Sequence, residues 1–111
     1  MATSFVERLG DCVVAGHPPA CVGFDPRVEA LPARLAGAGD AASRIVAFAR
    51  EVMPRIARHA PVLKPNVAFF ECFGGPGFGA YEEVCRLARR AGLLVIGDVK
   101  RGDVGSTAEA Y

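Results

Sequence analysis

Three short apolar runs, each closed by a charged or turn-forming residue, constrain the fold of this chain more than any other feature. Ala20-Cys21-Val22-Gly23-Phe24 stops at Asp25-Pro26, Pro61-Val62-Leu63 stops at Lys64, and Leu93-Leu94-Val95-Ile96 stops at Gly97-Asp98. Runs of this length read as buried strands. The last is unbroken, as expected for a parallel strand covered on both faces. Between them the apolar spacing changes to that of a helix. Phe5, Leu9 and Val13 suggest a short opening helix, ended by Gly16, Pro18 and Pro19. Asp40 can cap a second helix, whose apolar face is Ile45, Phe48, Ala49, Val52, Ile56 and Ala57. Pro54 falls inside that pattern and should kink or break it, at about 3 kcal/mol if fully interior. Tyr81, Val84, Cys85 and Ala88 mark a third helix with Arg86, Arg89 and Arg90 on its wet side, stopped by Gly92. Residues 26–39 and 74–79 read as loops, the first with a helical turn at residues 28–31.

Helix and strand therefore alternate three times, which predicts an α/β fold with a parallel sheet and crossover helices. The polar residues gather where the strands end: Asp25, Lys64, then Asp98 and Lys100. Carboxyl ends of strands carry the chemistry in a barrel of strand–helix units, and equally in an open parallel sheet. A complete (β/α)8 barrel needs about 250 residues, and this chain has 111. The expectation is one incomplete domain, residues 1–111 being the N-terminal portion of a TIM barrel with about its first three β/α units.

Composition narrows the function classes. At 51% hydrophobic and 23% charged the chain can bury a core. A net charge of +1 argues against a nucleic-acid surface. No apolar run is long enough for a membrane span, and the N-terminus does not resemble a secretory signal. Cys12, Cys21, Cys72 and Cys85 form no C-x-x-C pair and lie at no zinc-finger spacing, so buried reduced thiols in a cytoplasmic protein are expected. His17 and His59 stand alone. No metal site is expected.

The strongest chemical signal is Asp98-Val99-Lys100-Arg101-Gly102-Asp103. On a strand, positions two apart share a face, so Asp98 and Lys100 point into one space and Asp103 follows on the next loop. Lys64 ends the neighbouring strand. The result is an alternating row, Lys64, Asp98, Lys100, Asp103, in which each lysine has a carboxylate within reach and stays protonated. An ordinary ion-pair network at a strand end gives the same letters.

Three blocks go further: residues 21–26, residues 64–71 (Lys-Pro-Asn-Val-Ala-Phe-Phe-Glu) and residues 97–107. In these blocks, and in their order and spacing, the chain resembles orotidine 5′-monophosphate decarboxylases of the bacterial group with longer chains. The resemblance implies a TIM barrel and a cofactor-independent carboxy-lyase of de novo pyrimidine biosynthesis. That enzyme converts orotidine 5′-monophosphate to uridine 5′-monophosphate and is a homodimer when full length. It implies Lys100 as proton donor and Asp98 beside the substrate carboxylate. It also implies Lys64 in the charged row and on the ribose, and Asp25 on the ribose hydroxyls. Asp103 resembles the aspartate that reaches into the partner's site, with Thr107 beside it. Asn66, Phe70 and Glu71 match the motif as supports of the Lys64 loop. The family's phosphate grip lies in the second half of the barrel, so the isolated chain is expected to be inactive.

Blander readings exist for two residues: Asp25 as a turn former before Pro26, and Thr107 as a helix N-cap. Three rival functions remain. Gly75-Pro76-Gly77-Phe78-Gly79-Ala80 spells G-x-G-x-x-A before a helix, but the preceding strand ends about ten residues too early and Pro76 stiffens the turn. A related sugar-phosphate decarboxylase or aldolase shares Asp-x-Lys-x-x-Asp, and some of these use magnesium. A truncated half-barrel needing a partner chain is the third, its unpaired last strand prone to association.

Overall fold

The structure, a computed structural model, describes residues 2–111. Helix α1 spans Phe5–Val14. Its start is fixed by a reciprocal cap: the Glu7 amide donates to the Ser4 hydroxyl at 3.2 Å, and the Ser4 amide donates to the Glu7 carboxylate at 2.7 Å. Strand β1 (Cys21–Phe24) follows, then two 3-10 segments, Val28–Ala30 and Ala33–Ala38, where the sequence suggests a loop with one helical turn.

Helix α2 runs Ala41–Ile56, with the Asp40 carboxylate accepting from the Ser43 amide at 2.8 Å. Pro54 neither breaks nor ends it. The proline sits in the last turn and gives up only its own amide bond to the Arg50 carbonyl, and the helix is held by its buried face of Ala42, Ile45, Ala49 and Met53. Strand β2 is Val62–Pro65, and a one-turn helix α3, Ala68–Glu71, leaves it almost at once.

Helix α4 spans Gly74–Arg90, so the glycine-rich stretch expected as a loop is its first turns. Packing explains why glycines are tolerated there. A Cβ on Gly77 would lie 1.7 Å from the Phe70 carbonyl oxygen, so only glycine lets α4 seat this closely on α3. Of the G-x-G-x-x-A glycines, Gly77 therefore serves helix packing, while a Cβ on Gly75 would meet nothing within 4 Å. Strand β3 is shorter than its apolar run, Leu94–Val95, and α5 occupies Gly105–Ala110. Val104, not Thr107, is the N-cap residue of α5.

The sheet is parallel, in the order β1-β2-β3, with Gly23 opposite Lys64 and Leu63 opposite Val95. Pairing continues beyond β2 and β3 as a parallel bridge between Asn66 and Asp98. Helices α2 and α4 pack together against one face of the sheet. Ile45, Ala49 and Met53 of α2 and Ala80, Val84 and Ala88 of α4 join Phe24, Leu63, Phe70 and Leu93 in one buried cluster. Phe70 meets the Tyr81 ring edge-on at a centroid distance of 5.3 Å. On the other face Val62 and Leu94 are buried, whereas Cys21, Gly23 and Ile96 are exposed. Burial of the last apolar run on both faces thus holds for Leu93 and Leu94 but not for Ile96, which is 40% exposed. All four cysteines are free thiols, yet only Cys85 is buried; Cys21 and Cys72 are exposed and Cys12 is intermediate.

Candidate active site

The open rim is built by two backbone hydrogen bonds of one ladder. The Asp98 amide donates to the Pro65 carbonyl at 3.1 Å, and the Val67 amide donates to the Asp98 carbonyl at 2.9 Å. These bonds extend the sheet past its formal strands and fix Asp98 beside Asn66. Gly97, the residue before, is needed for close approach: a Cβ there would lie 2.9 Å from the Tyr81 hydroxyl. That phenol is pushed up to about 12, first by burial and then by Cys85 and Asp98.

On this rim four side chains form one continuous chain of contacts. Lys64 Nζ lies 3.8 Å from Asp98 Oδ2. Lys100 Nζ lies 2.9 Å from Asp98 Oδ1 and 3.4 Å from Asp103 Oδ2. The Asp98 side chain is 8% exposed, whereas that of Lys100 is 60% exposed. The buried carboxylate is therefore the hub, compensated by two ammonium groups that also meet solvent. The hydrogen bond from Lys100 to Asp98, assisted by Asp103, holds the Lys100 ammonium above the usual lysine range against a smaller desolvation effect. Chemically, this is a preorganised positive charge with an exchangeable proton, flanked by two carboxylates.

The other residues singled out by sequence are placed differently. Asp25 follows β1 on the exposed side, and its carboxylate joins none of the ion pairs among the described residues. Thr107 lies in α5, and its hydroxyl accepts from Asn66 Nδ2 at 3.4 Å. Asn66 is buried, and its Oδ1 accepts from the Ala68 amide at 3.2 Å, so it connects β2, α3 and α5. A cleft of about 520 Å³ lies elsewhere, between α2 and the start of α4, lined by Asp40, Ser43, Arg50, Pro76 and Gly79 among others. It includes none of the charged row. Among the described residues no group of three or more His, Cys, Asp or Glu side chains is arranged to hold a metal ion. Nor is any helix long and apolar enough to cross a membrane.

Sequence reasoning passed over one strong contact. The Arg101 guanidinium grips Glu71 through three hydrogen bonds, two from Nε at 3.1 Å and one from Nη2 at 2.9 Å. Both residues were visible in the matching blocks, but their pairing spans thirty positions and carries no local signal. Glu71 accordingly braces the loop after β3, where a brace of the Lys64 loop was expected.

Comparison with known proteins places the chain in a family. The profile of the orotidine 5′-phosphate decarboxylase / HUMPS family matches residues 18–111. An orotidine 5′-phosphate decarboxylase from a Nocardioides species is 46% identical over 107 residues, which are 96% of this chain and 38% of that one. The structure of Leishmania donovani OMP decarboxylase superposes with a TM-score of 0.69 at 36% identity, covering 98% of this chain and 38% of that one. A structure from Streptomyces avermitilis, provisionally described as an orotidine 5′-phosphate decarboxylase, gives 0.70 at 38% identity, covering 100% and 38%. The chain thus spans little more than a third of the length of these relatives, and its three-stranded sheet is part of their TIM barrel. With its charged row at the strand ends and a match over residues 18–111, the chain belongs to the orotidine 5′-phosphate decarboxylase / HUMPS family.

Proposed function

We propose that residues 1–111 are the N-terminal portion of a single TIM-barrel domain and carry the charged centre of a decarboxylase acting on orotidine 5′-monophosphate. The observation that carries this reading is the Lys100 ammonium held between Asp98 and Asp103 at 2.9 and 3.4 Å. Cleavage of the bond between C6 and the carboxylate releases carbon dioxide and leaves the electron pair on C6, outside the ring π system. A fixed positive charge aimed at that carbon stabilises the pair. Lys100 Nζ then gives its proton to C6, producing uridine 5′-monophosphate, and is reprotonated from solvent. Asp98 lies against the departing carboxylate, with ground-state repulsion adding to the effect. Lys64 and Asp25 hold the ribose. In the single chain Asp103 meets its own Lys100 and Thr107 its own Asn66; in a homodimer of the complete barrel the two instead reach the site of a second copy. The nucleotide phosphate is held by the part of the barrel outside this chain, whose binding energy helps lower the barrier. Cytoplasmic location and cofactor independence go with the same reading.

The test completes the barrel by fusing the C-terminal remainder of a relative after Tyr111 and follows decarboxylation spectroscopically. Turnover of orotidine 5′-monophosphate is expected, and Lys100→Ala should lower kcat by about 10³-fold or more. Undiminished turnover by that variant would overturn the reading. Activity abolished by a chelator would favour a magnesium-dependent sugar-phosphate relative.

A further inference from the structure

Just past β3 the chain is fastened to its neighbour on both sides of one residue. The Ile96 amide donates to the Leu63 carbonyl at 2.9 Å, and the Asp98 amide donates to the Pro65 carbonyl at 3.1 Å. Gly97 lies between these bonds and is met by Tyr81 of α4. A Cβ on Gly97 would lie 2.9 Å from the Tyr81 hydroxyl oxygen and 3.6 Å from Val99 Cγ2. The second distance is ordinary contact, and the first is closer than side chains come. Gly97 is not among the glycines with positive φ, so its backbone suits any amino acid. The obstacle to a side chain here is therefore the phenol oxygen.

That oxygen has little freedom to retreat. The Tyr81 ring meets Phe70 edge-on at 5.3 Å, and Phe70 is fully buried. The hydroxyl pairs with the thiol of buried Cys85, about one helical turn further on. Gly77 seats α4 closely on α3 and so fixes the helix that carries the ring. Interiors packed in this way transmit a displacement instead of absorbing it. On the far side of Gly97 stands Asp98, the buried hub of the charged row, 3.8 Å from Lys64 Nζ and 2.9 Å from Lys100 Nζ. Both contacts lie within one copy of the chain.

We propose that Tyr81 is a positioning residue: its hydroxyl is a stop against the Gly97 backbone and so sets where the Asp98 carboxylate stands between the two ammonium groups. Tyr81 touches no reacting atom. The proposal rests on the decarboxylase reading and adds to it a support behind Asp98 that lies outside the three matching blocks.

The test uses the completed barrel, assayed well below each variant's thermal midpoint so that only folded enzyme counts. Gly97→Ala should lower kcat about tenfold or more, with KM changed less than about twofold. Tyr81→Phe added to it clears the space the new Cβ needs. The double variant should therefore regain at least about fivefold in kcat over Gly97→Ala, a coupling that independent sites do not show. Tyr81→Phe by itself removes the stop and should lower kcat about threefold, which keeps the proposal testable if Gly97→Ala does not fold. A double variant no faster than Gly97→Ala, or a Tyr81→Phe variant with unchanged kcat, would overturn the proposal. Amide exchange at Val67 and Asp98 separates it from the reading beneath it. Gly97→Ala should speed exchange there, and Tyr81→Phe should slow it again in the double variant. If the unsubstituted completed barrel shows no turnover while exchange follows that order, the positioning role stands and the decarboxylase reading falls. If exchange ignores both substitutions, the role of Tyr81 fails whatever the activity.

Discussion

Lys100 shows how a side chain that is largely exposed can still be electrostatically prepared. Its ammonium is favoured chiefly by the hydrogen bond to Asp98, secondarily by Asp103, with desolvation opposing. A lysine with a raised folded-state value contributes stability that is complete below the ordinary lysine range and disappears as pH climbs through the raised value. Titration of Lys100 Nζ by nitrogen NMR should therefore give a midpoint above that of an ordinary lysine, and Asp98→Asn should bring it down. A midpoint unchanged by that substitution would mean that Asp98 is not the cause. Glu7 shows the opposite sign. Its carboxyl is lowered by its hydrogen bonds with Ser4, so its part in capping α1 is present above the ordinary carboxylate range and lost on acidification.

At the scale of elements, the junction between α3 and α4 decides where the rim sits. Glycine at residue 77 lets the two helices touch backbone to backbone, and Phe70 beneath them bridges to Phe24 and Tyr81. Gly77→Ala should destabilise the fold by about 3 kcal/mol through overpacking against the Phe70 carbonyl. Thermal unfolding of the completed barrel reads this directly, and an unchanged midpoint would show that α4 can shift without strain. The misreading of residues 74–79 has the same origin. Four glycines and a proline look like a loop locally, and only the neighbouring α3 reveals that one missing Cβ, that of Gly77, is a packing requirement. Periodicity did locate α1, α2 and the later turns of α4: α2 and α4 each bury one continuous stripe, and α1 carries the same apolar spacing although none of its residues is buried.

For the whole molecule, the sheet has three strands, and the outer edges of β1 and β3 are unpaired among the described residues. Exposed Ile96, Val99 and Val104 lie near the β3 side of the rim. Expressed by itself, the 111-residue chain should self-associate at micromolar concentration and show no decarboxylation. Light scattering coupled to size exclusion, with an assay on the same fractions, checks both. A monodisperse monomer would refute the first expectation, and normal turnover the second.

The order of elements and the row of charges were open to a reader of the amino acids. Apolar runs and helical stripes are local, and Asp98 and Lys100 do meet as their spacing suggested, although β3 ends at Val95, Asp98 keeps only a bridge to Asn66 and Lys100 lies beyond the strand. What needed the folded chain was every relation across long separations. The Asn66 bridge to Asp98, the grip of Glu71 on Arg101, the hydroxyl of Thr107 against Asn66 and the seat of Gly77 on Phe70 all join distant stretches. Such contacts arise when helices and strands pack at fixed distances, and packing distances are a property of the assembled core that no stretch of sequence carries alone.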